Sequence, residues 1–175
     1  MARKIFSRHA PRPFMKFGKQ AIKTSVVACI IDDQQRVLLT RRCIEPFSGQ
    51  WVMPGGKVDH GEPLLKALHR EVQEEVNLKV HIDGLLDVYE HVGLGDNNAH
   101  YVILYYRAHP LTFDLQPNDQ EVTEADWVPA DQLAKYNMTP GTRHILAQVY
   151  PGALQDPGEP VDELTDRNEA GIVGQ

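Results

Sequence analysis

The chain is short of several things, and each shortage removes a class of protein. It has two cysteines, Cys29 and Cys43, in 175 residues. Two give neither a disulfide framework nor a zinc-binding pattern, and they suit a reducing compartment such as the cytoplasm. No apolar run approaches the roughly 18 residues of a membrane-spanning helix. No signal-peptide core is visible either, so no membrane partner is expected. The formal net charge is −6, which argues against nucleic acid as a partner for the whole chain.

Acid is absent from one stretch. Residues 1–24 carry Arg3, Lys4, Arg8, Arg12, Lys16, Lys19 and Lys23 and no Asp or Glu. Pro11 and Pro13 interrupt the amphipathic helix that an organelle transit peptide would need. Residues 1–23 therefore read as a basic surface arm. Residues 151–175, rich in Pro, Gly and acid, read as a tail with little core of its own. Residues 24–150 are enough for one domain with one buried core and too few for two. The two ends are oppositely charged, and Phe14, Met15 and Phe17 give the arm an apolar anchor. Together these predict a homodimer whose arm docks on the partner.

Within the domain, β-branched apolar runs predict strands at 23–31, 36–41, 79–82, 85–91, 100–108 and 125–128. Polar turns separate them at 32–35 and 93–98, and a long loop is expected at 110–124. Helices are predicted after Pro63, at 130–135 and at 142–150. The pattern is α/β: a mixed sheet covered by helices.

Residues 56–78 carry the chemistry. Glu71 and Glu74 are three apart and Glu71 and Glu75 four apart, so a helix puts all three carboxylates on one face. Like charges at those spacings repel, and clustered carboxylate oxygens suit a hard cation such as Mg²⁺ or Mn²⁺. Leu64, Leu68, Val72 and Val76, with Leu65 beside them, form an apolar stripe that predicts burial against the sheet. Pro63 fits the first turn, and Asn77 fits a left-handed stop. Gly55 and Gly56 let the backbone approach the site closely.

The same segment resembles the Nudix box, Gly-x5-Glu-x7-Arg-Glu-U-x-Glu-Glu-x-Gly-U, where U is a bulky aliphatic. Gly56, Glu62, Arg70, Glu71, Val72, Glu74, Glu75 and Leu78 match it, and Asn77 replaces the second glycine. The resemblance covers roughly residues 24–150 and implies the Nudix fold, an α/β/α sandwich. It implies Mg²⁺-dependent hydrolysis of a nucleoside diphosphate linked to another group. Glu71, Glu74 and Glu75 are then metal ligands, with a carbonyl of Gly55 or Gly56. Glu62 and Arg70 are implied to form an ion pair that orients the glutamates. The general base is left open among Glu121, Glu124 and Glu74, with Glu121 preferred.

The segment 41–57 resembles the branch that acts on ADP-ribose and other nucleoside diphosphate sugars. Arg41, Arg42 and Lys57 could reach phosphates, Phe47 or Tyr89 could stack on a base, and His91 and His100 could bond sugar hydroxyls. Trp51 reads as core. GDP-mannose glycosyl hydrolases share the phrase but lack a box glutamate, and this chain keeps all of them, so cleavage at phosphorus is expected. Two alternatives are a pyrophosphohydrolase of oxidised nucleoside triphosphates and a non-catalytic nucleotide sensor. A triphosphate substrate would release pyrophosphate, and sensors commonly lose box glutamates.

Overall fold

The computed structural model describes residues 21–93 and 99–154. Residues 1–20 of the predicted arm, 94–98 of the turn predicted at 93–98 and 155–175 of the predicted tail lie outside the described residues.

The order is β1 (Lys23–Ile30), β2 (Val37–Arg42), β3 (Trp51–Val52), β4 (Gly55–Lys57), α1 (Leu64–Val76), β5 (Val80–Val92), β6 (His100–Pro110) and β7 (Val122–Val128). A 3₁₀ turn at Ala130–Lys135 and α2 (Pro140–Val149) follow. One sheet runs β4-β1-β6-β5, with β1 and β6 parallel and the outer pairs antiparallel. A second, antiparallel sheet runs β3-β2-β7.

The continuous apolar run of β1 is buried from both sides, as expected of a strand between two helical layers. Val26, Ala28 and Ile30 join Leu68, Val72 and Val76 of α1 in one core. Cys29 joins Ile145 and Leu146 of α2 in the other. β2 alternates likewise: Leu38 enters the first core, and Val37 and Leu39 the second. The result is an α/β/α sandwich. Leu68 is fully buried, and its loss to Ala would cost about 2–5 kcal/mol. Among the described residues no helix is long and apolar enough to cross a membrane.

Several elements differ from expectation for identifiable reasons. Pro63 is the N-cap, with extended backbone, and not the first helical residue. Leu64 and Leu65 at the start of the expected stripe are exposed, and Ala67 takes the buried place. Leu64 instead borders an open groove with Ile22 and Val58. The strands expected at 79–82 and 85–91 are one strand, β5, whose register shifts between Ile82 and Gly84 and again between Leu85 and Asp87. Bulges absorb what reads in the sequence as a break. The loop expected at 110–124 is shorter at both ends, because β6 reaches Pro110 and β7 begins at Val122. Glu124 is thus a strand residue opposite Arg41.

Asn77 does close α1. It adopts φ 59° and ψ 24°, its N–H donates to the Gln73 carbonyl at 3.1 Å, and its Oδ1 accepts from Gln73 Nε2 at 2.7 Å. The side chain supports the left-handed cap that glycine would otherwise supply.

Candidate active site

Pairing of β4 with β1 carries Gly55 and Gly56 beside α1. Gly55 has φ +152°, and a Cβ there would strike the Val26 carbonyl. A Cβ on Gly56 would strike the Glu71 carboxylate. Both glycines therefore allow a close approach, Gly55 to the β1 backbone and Gly56 to the Glu71 side chain. The Gly55 N–H donates to Glu75 Oε2 at 3.0 Å.

Arg70 organises the opposite side of this face. Its Nε and Nη2 donate to the two oxygens of Glu62 at 3.0 and 2.9 Å, a two-point grip on the carboxylate. Nη1 donates to Glu71 at 2.8 Å and to Glu74 at 3.2 Å, and Nη2 also reaches the Lys57 carbonyl at 3.2 Å. This bonding holds the Glu62 carboxyl below its ordinary value and raises that of Arg70.

The box glutamates are not equivalent. Glu75 is 2% exposed. Burial pushes its carboxyl up to about 8; the Gly55 N–H and Arg42 oppose that shift, and the charges of Glu71 and Glu121 add to it. Glu71 is raised by burial, held back by Arg70, and raised further by Glu121 and Glu74. The Glu74 side chain is 59% exposed and faces Arg70. The electrostatically coupled group next to the glycines is therefore Glu71, Glu75 and Glu121.

Glu121 reaches this place through its loop. Asn118 Oδ1 accepts from the N–H groups of Gln120, Glu121 and Val122 at 3.0, 2.9 and 3.3 Å. The Asn118 N–H donates to the Glu75 carbonyl at 3.1 Å, and the Gln116 N–H to the Val76 carbonyl at 3.1 Å. The loop is thus tied to the last turn of α1. Asn118 was not singled out in the sequence, although an Asn that bonds backbone amides two to four residues on is a common turn device.

The donor chemistry fits a hard divalent cation: carboxylates that raise one another's proton affinity are those a cation would relieve. As they stand, no three His, Cys, Asp or Glu side chains among the described residues are spaced to hold an ion. Arg70 lies against Glu71 and Glu74 as a positive charge.

Glu71 and Glu121 stand at the acidic end of a cavity of about 310 Å³, together with Gly55 and Gly56. Arg42, Phe47, Lys57, Tyr89 and His91 line it. Phe47 holds φ 71°, uncommon for a bulky residue, and its ring meets His91 edge-on at 5.6 Å. Arg41 and His100 stand elsewhere. Arg41 pairs with Glu124 at 2.6 Å, and His100 pairs with Glu90 at 2.7 Å. Alternation along β2 sends Arg41 and Arg42 to opposite faces. Trp51 packs edge-on against Tyr136 at 4.9 Å. The sequence reading missed Tyr101, Ile103 and Tyr105, which line the cavity from one face of β6. Their period of two was legible; which face looked into the cavity was not.

Comparison with known proteins places this geometry. The NUDIX domain family model matches residues 22–149. The human protein "8-oxo-dGDP phosphatase NUDT18" is 31% identical over 108 residues, which is 62% of this chain and 32% of that protein. The "ADP-ribose pyrophosphatase" of Methanocaldococcus jannaschii is 30% identical over 106 residues, 61% of this chain and 62% of that one. The chain thus spans less than two thirds of either curated relative. A MutT NUDIX hydrolase from Burkholderia pseudomallei superposes with a TM-score of 0.68 at 32% identity, over 74% of this chain and 99% of that one.

Proposed function

The chain belongs to the NUDIX family, and from that premise we propose that it hydrolyses the diphosphate bond of a nucleoside diphosphate sugar of the ADP-ribose or GDP-mannose type. The products are a nucleoside monophosphate and a sugar phosphate. One observation carries the proposal: a single cavity joins a carboxylate end, with Glu71 and Glu121, to walls of Phe47, Tyr89 and His91. The first end suits a phosphate-bound cation and the second a planar base.

Mg²⁺, or Mn²⁺ in its place, would be held by Glu71, Glu74, Glu75 and a carbonyl of Gly55 or Gly56, and would offset diphosphate charge and acidify a water. Glu121 takes the proton as the water oxygen attacks phosphorus and the bridging P–O bond breaks. Arg70 and Glu62 act as positioning residues that hold the carboxylates in place. Arg42 and Lys57 face the phosphates. Arg41 and His100, outside the cavity, have no part in this proposal.

The free cysteines Cys29 and Cys43 support a reducing, cytoplasmic setting. The oppositely charged ends support a homodimer; a monomeric mass by light scattering of the full chain at micromolar concentration would overturn that.

The human relative's name, with its 8-oxo-dGDP, favours a second reading in which an oxidised nucleotide is the substrate. A panel of nucleoside diphosphate sugars, diphosphates and triphosphates, with products identified by chromatography, separates the two. Nucleoside monophosphate and sugar phosphate are expected. Cleavage of di- or triphosphates alone moves the assignment to the second reading. No cleavage of any nucleotide with Mg²⁺ or Mn²⁺ ends both.

A further inference from the structure

Three hydroxyls in the cavity have no part in the reaction above. Tyr105 lies in β6 and is 3% exposed. Thr139 and Thr142, at the start of α2, are 8% and 1% exposed, and Thr139 Oγ1 donates to Thr142 Oγ1 at 3.0 Å. The Tyr105 hydroxyl stands beside the first turn of α2, against Gly141, the neighbour of Thr142. All three residues line the cavity. Gly141 makes the juxtaposition possible. A Cβ there would fall 2.6 Å from the Tyr105 hydroxyl and 3.1 Å from the Tyr89 ring.

The position of this cluster is set by the sheet. Gly55 pairs with Val27 on β1, and Val27 pairs with Tyr105 on β6. Two strand spacings, about 10 Å, therefore separate Tyr105 from the glycine beside Glu75. A phosphate held near Gly55 and Gly56 leaves this distance for the rest of a nucleotide. The hydroxyls carry no charge, so they suit a neutral polar group. Tyr89 and Tyr101 on the same cavity suit a planar one.

We propose that Tyr105, Thr139 and Thr142 form a specificity site that hydrogen-bonds the polar edge of a nucleobase whose phosphates lie at the Glu71 end. The proposal rests on the nucleotide reading of the cavity. A hydroxyl both donates and accepts, so this end satisfies either a keto oxygen or an amino group. It demands a base while tolerating several.

The test is calorimetric binding of nucleoside 5′-monophosphates and of ribose 5-phosphate, which lacks a base, to the full chain in Mg²⁺. The wild type is expected to bind every monophosphate more tightly than ribose 5-phosphate. Tyr105→Phe and Thr142→Val should each weaken monophosphate binding roughly three- to tenfold, the worth of one hydrogen bond, and leave ribose 5-phosphate unchanged. Thr142→Ser keeps the hydroxyl and should keep the affinity. Equal losses for both ligands, no loss in either variant, or a wild type indifferent to the base would overturn the proposal. Hydrolysis is measured separately: a chain that shows the base-dependent binding and cleaves nothing refutes the pyrophosphohydrolase reading and leaves this one standing.

Discussion

Gly56 packs so closely on Glu71 that a Cβ at position 56 would overlap the carboxylate carbon and both of its oxygens. The obstacle is the free end of a side chain, which can swing aside. Gly56→Ala should therefore fold, with a melting temperature within about 4 °C of wild type. It should lose roughly 10–100-fold in kcat/KM, because Glu71 is displaced. Gly55→Ala meets the Val26 carbonyl and the Val27 Cα instead, and backbone cannot swing aside. That variant should melt much lower. Equal melting of the two variants would refute the distinction.

Glu121 and Glu124 stand in different surroundings although they are near neighbours in sequence. Glu121 raises the carboxyls of Glu71 and Glu75, whereas Glu124 pairs with Arg41 at the surface. Glu121→Gln should lower kcat by about 10²–10⁴, the worth of a general base, with the Mg²⁺ concentration for half-activity little changed. Glu124→Gln should stay close to wild type, since exposed pairs contribute little. Steady-state kinetics across a Mg²⁺ titration would show it, and a silent Glu121→Gln would move the base into the box.

Glu75→Gln keeps an acceptor for the Gly55 N–H and removes a buried acid. Activity should vanish, as in EDTA, while the metal-free variant melts at or above the wild-type temperature. EDTA-treated wild type should recover with Mg²⁺ or Mn²⁺. Full turnover by Glu75→Gln would remove the metal role assigned to this carboxylate.

The box was legible because its contacts are local. Spacings of three and four residues on one helix specify a face, and Arg70 meets Glu62 across a single turn and loop. Asn77 was legible as a cap for the same reason. What escaped depends on contacts distant in sequence. Glu74 and Glu75 are adjacent, yet only the tertiary environment sets one at 2% exposure and leaves the other facing solvent. Glu121 joins Glu71 and Glu75 through Asn118 and backbone bonds to α1. The hydroxyl cluster needs β6 and α2, joined only in the folded chain. Alternation along β2 separates Arg41 from Arg42, but no local pattern says which of the two faces the cavity.

Asp87 ties β5 to α2 at the seam behind Tyr89. Asp87 Oδ2 accepts from Gln148 Nε2 at 2.8 Å and lies 3.1 Å from His144 Nε2, and the His144 ring stands 5.4 Å from that of Tyr89. The Gln148 bond, then the Val88 N–H and His144, hold the Asp87 carboxyl below its ordinary value of 3.8. A depressed folded value means the charged form stabilises the fold. That contribution is present above the ordinary value and is lost as pH falls through the lower, folded one. Asp87→Asn keeps the shape and removes the titration. It should melt below wild type at neutral pH, and the two proteins should converge as the pH falls through the folded value and wild-type Asp87 also becomes neutral. The variant should also raise KM more than it lowers kcat, because Tyr89 loses part of its support at the cavity wall. Thermal melts across that pH range, with KM measured at neutral pH, decide it; a constant gap between the two melting curves at every pH would sink the linkage.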